Sequence, residues 1–366
     1  MKKTYNFSSG RSTLPSEVVE LIKAEFENYA TDGVSAMELD RTSREYAEIA
    51  ASAEAALREL MNIPQNYRVL FMQGGADFQY SAIPLNLLSE HKCADYIVSG
   101  QHSKTASLEA KKYGDIAIAA SSAGATPAFS TVPDTKRSDF RPDADYVHIC
   151  FNNTVYGTKF HYIPDTGNIP LVADMSSFML SEPVDVSKFA LIYANAETCI
   201  GAGALTIVIV RDDLTSGASK DTPASLNYKL VGEGYAVKST ASAMSLYIAK
   251  LVFDWIKSIG GLEEMKRRNE RKASLLYDYL DSQFYYTAPV DKKCRSMMNV
   301  VFVTGDASLD EKFAKEAKQE GLFNLSGHGS VGGICASIYN AMSFEGVEKL
   351  VSFMKKFAQE NIKIEA

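Results

Sequence analysis

The stretch NYRVLFMQGGADFQYSAIPLNLL, residues 66–88, predicts a buried strand, a glycine turn and an apolar helix in direct succession. Six further apolar runs of strand length follow along the chain: DYIVSG, DIAIAAS, YVHICF, IPLVAD, FALIYAN and LTIVIV. Stretches of helical period, such as SKTASLEAKKYG, lie between the first few of these runs. Near-continuous apolar strands that alternate with helices are typical of a parallel sheet covered on both faces. The sequence therefore predicts an α/β fold with a mostly parallel, seven-stranded sheet.

A second, smaller domain of the α+β class is predicted for the end of the chain. The glycine pair at 260–261 interrupts a long helical region that begins near residue 241. Beyond it come the strand NVVFVTG, a helix, a glycine-rich turn, the strand ICASIYN and a final helix. We expect a large domain over residues 16–261 and a small domain built from residues 1–15 and 262–366.

Composition and charge narrow the class of protein. The 366 residues are 46% hydrophobic and 23% charged, and the formal net charge is −7. Such a balance is typical of a globular protein and argues against a general affinity for nucleic acid or anionic membranes. No apolar run approaches the roughly 20 residues that span a bilayer, and the start lacks a signal-peptide pattern. The five cysteines are scattered, odd in number and without metal-ligand spacing, so we expect a reduced, cytoplasmic protein without a metal site.

The glycine turn of the opening stretch is the first candidate site. Glycines between a strand and a helix let backbone amides approach an anion at the positive end of the helix. A tight turn without a ligand would have the same sequence. Asp77 at this turn is a good helix cap, but its charge would oppose a bound phosphate.

Polar residues follow several other strands of the predicted sheet. Asp174 ends LVAD and Ser176 lies two positions later; the pair could hold the ring nitrogen and phosphate of a cofactor, or cap the next segment. Thr154 lies in the asparagine-rich turn after YVHIC, where side chains mostly satisfy their own backbone. His102 follows DYIVSG at the same expected edge and is either structural or catalytic.

A further candidate lies in GHGSVGGICASIYNAM, which contains His328 and Cys335. A cysteine and a histidine can form a nucleophilic pair. Because Cys335 falls within a strand pattern, a buried and inert thiol is the simpler interpretation.

The order of these segments resembles the phosphoserine aminotransferase family, which consists of class V aminotransferases of pyridoxal phosphate (PLP) fold type I. The segments that carry the resemblance are NYRVLFMQGGADFQYSAIPLNLL, ADMSSFML, ALTIVIVRDDL, LVFDWIK, RSMMNVVF and VGGICASIYNAM, and the similarity covers nearly the whole chain. It implies a homodimer in which each active site borrows residues from the partner subunit.

Part of the cofactor site implied by this resemblance is kept. The positions that keep the family residue are Gly75, Ala76, Thr154, Asp174, Ser176 and Thr240. Ser239 stands in place of an asparagine, and His102 stands where the family usually stacks a tryptophan on the cofactor ring.

The resemblance also implies that the lysine of the Schiff base is missing. The family has Ala-Gln-Lys-Asn-Ile-Gly where this chain has AETCIG, so Thr198 stands at the lysine position and Glu197 replaces a phosphate-contacting glutamine. A threonine hydroxyl can neither form the imine nor shuttle the proton. We therefore expect no covalently bound cofactor, although PLP or pyridoxamine phosphate could bind non-covalently.

The substrate-binding residues implied by the resemblance are replaced as well. The family's ME-x-SHR segment is MELDRT here, so Asp40, Arg41 and Thr42 replace a serine, a histidine and an arginine. Two substrate-gripping arginines of the family are replaced by Gly329 and Cys335, which lie in the segment that also contains His328. Cations that could compensate are Arg11, Arg41 and, from the partner subunit, Lys238.

Three functional hypotheses follow. The first is a repurposed dimeric scaffold, a candidate pseudoenzyme that binds or transforms a small neutral or cationic ligand, with Glu197, Cys199 and His102 as candidates for residual chemistry. The alternative is a PLP- or pyridoxamine-phosphate-dependent aminotransferase of the phosphoserine:2-oxoglutarate type with unusual equipment. The third is a structural partner that dimerises with a catalytic paralogue.

Overall fold

A computed structural model describes residues 3–29, 33–234 and 241–361. Within them, a seven-stranded sheet is built from the seven predicted runs: β2 (Tyr67–Gln73), β3 (Cys93–Val98), β4 (Asp115–Ser121), β5 (Tyr146–Cys150), β8 (Leu171–Asp174), β9 (Leu191–Asn195) and β10 (Leu205–Arg211). The strand order is β2-β10-β9-β8-β5-β3-β4, and only β10 runs antiparallel to its neighbours. The predicted fold class, with a mostly parallel sheet, is therefore confirmed.

Helices cover the two faces of this sheet because each face of a parallel sheet must be buried. The helices in this part of the chain are α1 (Ser16–Glu25), α2 (Arg44–Met61), α3 (Asp77–Leu87), α4 (Gln101–Ala110), α5 (Tyr228–Gly232) and α6 (Ala243–Ser258). Two clusters of buried side chains result, one with α2 and α6 and the other with α3 and α4. Five of the parallel strands, β2, β3, β5, β8 and β9, thus bring their carboxyl ends to one edge between packed layers.

The rest of the chain forms a third buried cluster of its own. It contains α7 (Gly261–Asp281), β11 (Asn299–Phe302), α8 (Ala307–Gln319), β13 (Ile334–Ser337) and α9 (Phe344–Asn361). The strands β11 and β13 pair antiparallel, and the short β1 (Tyr5–Asn6) pairs with β12 (Leu322–Phe323). The first residues of the chain therefore pack with the last hundred, although the exact domain bounds stay a prediction.

Positive backbone dihedrals explain the helix break at the glycine pair. Gly260 has φ of 110° and Gly261 has φ of 76°, values that residues with a Cβ adopt at a cost. The helix α6 thus ends before the pair and α7 begins at its second glycine. Among the helices of the described ranges, none is long and apolar enough to cross a membrane.

Two short antiparallel strands lie beside the carboxyl edge of the sheet. The strands β6 (Asn152–Asn153) and β7 (Thr158–Lys159) follow β5 directly and pair with each other. The turn between them contains Thr154 and Val155, so this hairpin places both residues over the carboxyl end of β5.

Candidate active site

A cavity of about 490 Å³ lies at the carboxyl edge of the sheet. It brings together eight of the residues predicted from the sequence: Ala76, His102, Thr154, Asp174, Ser176, Glu197, Thr198 and His328. They come from five strand ends and from the distant loop before β13. Residues that follow parallel strands lie close together because the strands end at the same edge of the sheet.

Asp174 is the most buried carboxylate of the cavity. Its side chain is only 4% exposed, and its Oδ1 accepts a hydrogen bond from the Ser176 backbone N–H at 2.9 Å. The Ser176 hydroxyl accepts in turn from the backbone N–H of Asn195 at 3.0 Å. These bonds fix the carboxylate at the end of β8 against the neighbouring strand β9.

Tyr80 and His102 form the opposite wall. The Tyr80 hydroxyl and His102 Nδ1 are 3.2 Å apart, within hydrogen-bond distance. Burial, together with the nearby charge of Asp174, raises the pKa of the Tyr80 phenol far above its usual range. Tyr80 is therefore a neutral hydroxyl at physiological pH, and its bond with His102 orients the imidazole beside the cavity.

Thr198 is held inside the turn that follows β9. The residue is 7% exposed, and its hydroxyl donates to the carbonyl oxygen of Ser176. Its own carbonyl oxygen accepts from the Ser12 hydroxyl, which ties the turn to the N-terminal segment. The side chain that lines the cavity at this position is thus a short hydroxyl, engaged with the backbone.

Two further carboxylates line the cavity. The Glu197 backbone N–H donates to Asn195 Oδ1 at 3.3 Å, and a Cβ added to Gly10 would lie 3.5 Å from Glu197 Oε1. The Glu197 carboxylate therefore lies against the loop around Gly10. Asp77 folds back over the glycine turn, since a Cβ added to Gly75 would come within 2.6 Å of Asp77 Oδ1.

Cys199 does not take part in the cavity. It is buried, and its Sγ lies 4.0 Å from the Sδ of Met298. Burial raises the pKa of the Cys199 thiol well above its usual range. The charge of Lys272 and a hydrogen bond with Thr198 lower the pKa of this thiol, but burial outweighs both. The role of Cys199 in residual chemistry stays a prediction, and Cys199 is not among the residues that line the cavity.

Several predicted substrate residues lie away from the cavity within one chain. Arg11 and Thr42 are exposed, and Arg41 is half-buried. The Thr42 backbone N–H donates to Asp40 Oδ1 at 2.7 Å, so Asp40 serves its own turn. None of the three lines the cavity as the described residues form it. Ser239, Thr240 and Lys238 fall outside the described residues.

Sequence reasoning missed other lining residues. Asn195, Tyr80 and Cys150 all face the cavity. Asn195 ends strand β9 as Asp174 ends β8, and this signal could have identified it. Tyr80 lies three positions after Asp77, on the same face of α3. Cys150 is buried at the end of β5, and burial raises the pKa of its thiol.

Comparison with known proteins agrees with this architecture. The family model described as class-V aminotransferase matches residues 4–350. The chain belongs to the class V aminotransferases. A phosphoserine aminotransferase of Bacillus cereus (strain ATCC 10987 / NRS 248) is 46% identical over 361 residues, which cover 99% of this chain and 100% of that protein. A phosphoserine aminotransferase of Laribacter hongkongensis is 46% identical over 358 residues, or 98% of this chain and 99% of that protein.

Solved structures of phosphoserine aminotransferases also superimpose closely on this chain. The phosphoserine aminotransferase from Bacillus circulans subsp. alkalophilus superimposes with a TM-score of 0.94 at 39% identity, covering 98% of this chain and 99% of that one. The PLP-bound phosphoserine aminotransferase from Trichomonas vaginalis gives 0.89 at 34% identity, covering 96% and 100%. The resemblance to phosphoserine aminotransferases inferred from the sequence is thus confirmed across the full chain.

Proposed function

We propose that the cavity at the sheet edge binds a small organic amine in its cationic form. The observation that carries this proposal is the charge of the lining. Asp77, Asp174 and Glu197 all face the cavity, whereas its lining has no lysine or arginine among the residues that the structure describes. Even if His102 and His328 were both protonated, the carboxylates would outnumber them three to two.

The three carboxylates contribute different amounts to the binding of an ammonium group. A unit charge about 5 Å from another contributes roughly 3 kcal/mol at an effective dielectric constant of about 20. Exposed Asp77 contributes less than that, because water screens its charge. Buried Asp174, fixed by the Ser176 backbone N–H, is the group on which an ammonium is best held. Hydroxyl and amide oxygens nearby can accept the remaining ammonium N–H donors.

PLP, the cofactor that the family implies, fits one end of this cavity and not the other. Asp174 suits a protonated ring nitrogen, and about 490 Å³ is room enough for a pyridine ring with its substituents. The glycine turn, where the phosphate would be held, faces the carboxylate of Asp77, and Glu197 adds a second carboxylate to the same cavity. A phosphate dianion would be repelled there, so we derive no reaction step through this cofactor.

The position of Thr198 supports the same proposal. By the resemblance to the family, Thr198 stands where a lysine would anchor the cofactor. Its hydroxyl is bonded to the Ser176 carbonyl oxygen and has no basic nitrogen to offer. A ligand of this cavity is therefore held by charge and hydrogen bonds rather than by a covalent link to residue 198.

We also propose that the protein is a dimer, as the family resemblance implies. The family resemblance implies that residues near 238–240 of one subunit reach the site of the other. In that arrangement Ser239 and Thr240 of each subunit would close the partner's cavity. The charge of Lys238 would offset one of the three carboxylates.

A second candidate function is favoured by similarity rather than by the cavity. The relatives named above are phosphoserine aminotransferases, at 46% identity over almost the whole chain. Known proteins thus support a phosphoserine aminotransferase better than a repurposed scaffold. Asp174, Thr154 and Ser176 lie together in the cavity and could hold a non-covalent cofactor for that reaction. The charge of the lining is the reason for placing the amine-binding function first.

A ligand panel separates the two candidates. We expect small primary amines, such as ethanolamine and putrescine, to raise the melting temperature of the purified protein. O-phosphoserine should give no shift, since its phosphate and carboxylate meet the carboxylates of the lining. The measurement is thermal shift followed by calorimetric titration, with glycerol as the uncharged control.

Two outcomes would contradict the amine proposal. One is stabilisation by O-phosphoserine with no response to any amine. The other is glutamate formation from O-phosphoserine and 2-oxoglutarate after PLP is supplied, which would establish the aminotransferase instead.

A further inference from the structure

A second, smaller cavity lies beside the first. Its volume is about 80 Å³, and it shares Ser9, Thr154, Val155 and His328 with the larger cavity. The remainder of its lining is Cys335 together with a short loop segment around residues 324–327. The two cavities therefore adjoin along these four shared residues.

The lining of the small cavity is polar, with no carboxylate, lysine or arginine among the residues described. Cys335 is 7% exposed, and its backbone N–H donates to the Leu325 carbonyl oxygen at 2.9 Å. Burial raises the pKa of the Cys335 thiol to about 11, so the sulfur is a neutral S–H near pH 7. The thiol lies 3.9 Å from the Ser337 hydroxyl. Cys335 therefore contributes an uncharged, weakly polar side chain to the lining of this cavity.

The loop at the rim is held in a defined shape. The Gly327 backbone N–H donates to the Gly333 carbonyl oxygen at 2.8 Å, and a Cβ at Gly327 would lie 1.9 Å from the Gly332 carbonyl oxygen. The backbone N–H groups of Val331 and Gly332 both donate to the His328 carbonyl oxygen at 2.8 Å. These hydrogen bonds and the close backbone approach hold residues 327–333 in one defined conformation.

We propose that the amine bound in the larger cavity carries a short, uncharged polar branch that occupies the small one. This inference rests on the proposed function, since the larger cavity must first hold the ammonium group. A hydroxyl or carboxamide branch can bond with the serine, threonine and asparagine side chains of the lining. A carboxylate branch would lose its hydration without an arginine or lysine of the described lining to pair with. The lining imidazole, His328, has its Nδ1 engaged as the acceptor of the Ser330 backbone N–H at 3.3 Å.

The size of the branch follows from the volume. A water molecule takes about 30 Å³ of liquid, so about 80 Å³ holds roughly two to three water-sized groups. A hydroxymethyl or carboxamide group meets that limit, whereas a phosphorylated branch exceeds it. The ligand class is therefore a small amino alcohol or the amide of a small amino acid.

Three matched amines test the branch. Glycinamide, glycine and propylamine each present an ammonium group, with an amide, a carboxylate and a methyl-terminated chain beside it. Calorimetric titration of the full chain should give an affinity for glycinamide at least about 10-fold above those of the other two. Equal affinities for the three amines, or a preference for glycine, would overturn this inference and leave amine binding intact. Binding of none of the three would instead remove the proposed function itself.

Two substitutions locate the effect. Cys335→Arg should reverse the preference in favour of glycine, because it supplies a cation for the carboxylate. Val331→Arg is the matched control, as it adds the same charge to the exposed part of the same loop and should leave the preference for glycinamide. If Cys335→Arg does not fold, Cys335→Leu replaces it and should lower the affinity for glycinamide to that for propylamine. An unchanged preference in whichever of these Cys335 variants folds would contradict the assignment of the branch to the small cavity.

Discussion

Replacing Asp174 by asparagine is expected to weaken the binding of a small primary amine about 100-fold. The substitution removes one negative charge from a site that is 4% exposed, and a charge-assisted hydrogen bond there is worth roughly 2–3 kcal/mol. Asparagine keeps an Oδ1 that can accept from the Ser176 backbone N–H, so the turn after β8 should retain its shape. Calorimetric titration with ethanolamine at neutral pH measures the change.

The control for this substitution is Asp278→Asn. It makes the same chemical change on the exposed face of α7, away from the cavity. We expect this control to bind amines as the parent protein does. Equal affinity of Asp174→Asn and the parent would mean that the buried carboxylate does not hold the ligand, and the amine proposal would then lose its main support.

Replacing Glu197 by glutamine is expected to strengthen non-covalent binding of PLP about 30-fold. The carboxylate lies against the loop around Gly10 and lines the cavity beside Thr198. Glutamine has nearly the same shape, so the change isolates the charge that repels a phosphate dianion. Because Glu197 is half-buried, we take the effect as about 2 kcal/mol rather than the full value for a closer pair.

Equilibrium dialysis, with the cofactor followed by its absorbance, measures this change. Glu311→Gln, an exposed glutamate of α8, supplies the matched control. The same Glu197 variant should bind ethanolamine more weakly than the parent. An increase in amine affinity, or no change in affinity for PLP, would show that the Glu197 carboxylate does not set the charge preference of the cavity.

The sequence predicted most of this fold because each strand is an almost continuous apolar run. In a sheet buried on both faces, burial alone marks the strands, and all seven predicted runs lie in it. The sequence predicted a mostly parallel sheet but did not identify β10 as the antiparallel strand. The reversed direction depends on the pairing of β10 between β2 and β9, and β2 is distant from it in sequence. The glycine pair at 260–261 was correctly predicted as a helix break because positive φ values favour glycine.

The strand pattern identified Asp174, which ends β8. Glu197 and Thr198 were identified by the family resemblance, and they follow the end of β9. The parallel sheet brings all three to one cavity. Residues on loops were harder to place: Arg11 and Thr42 were expected at the substrate, but both are exposed and outside the cavity of a single chain. Their positions depend on the backbone of irregular segments and on any partner subunit, neither of which strand periodicity determines.

The sequence named Thr154, His328 and Cys335 as site residues but did not predict the small cavity that they line. This cavity forms where the loop before β13 meets the hairpin after β5, two segments separated by more than 150 residues. The sequence indicated that Cys335 would be a buried thiol, and the structure agrees. That this thiol lines a cavity beside the larger one follows only from the packing of both segments.

The claim on which the account depends is that this cavity has no amine with which to anchor a cofactor. The measurement that tests it is the intact mass of the parent protein after incubation with one equivalent of PLP and reduction with borohydride. Thr198→Lys, treated in the same way, serves as the positive control because it places an amine at the position in question. We predict that the control gains the mass of one reduced cofactor at the introduced lysine and that the parent chain gains none. A parent chain labelled stoichiometrically at a single lysine would contradict the account, since another amine would then supply the missing anchor.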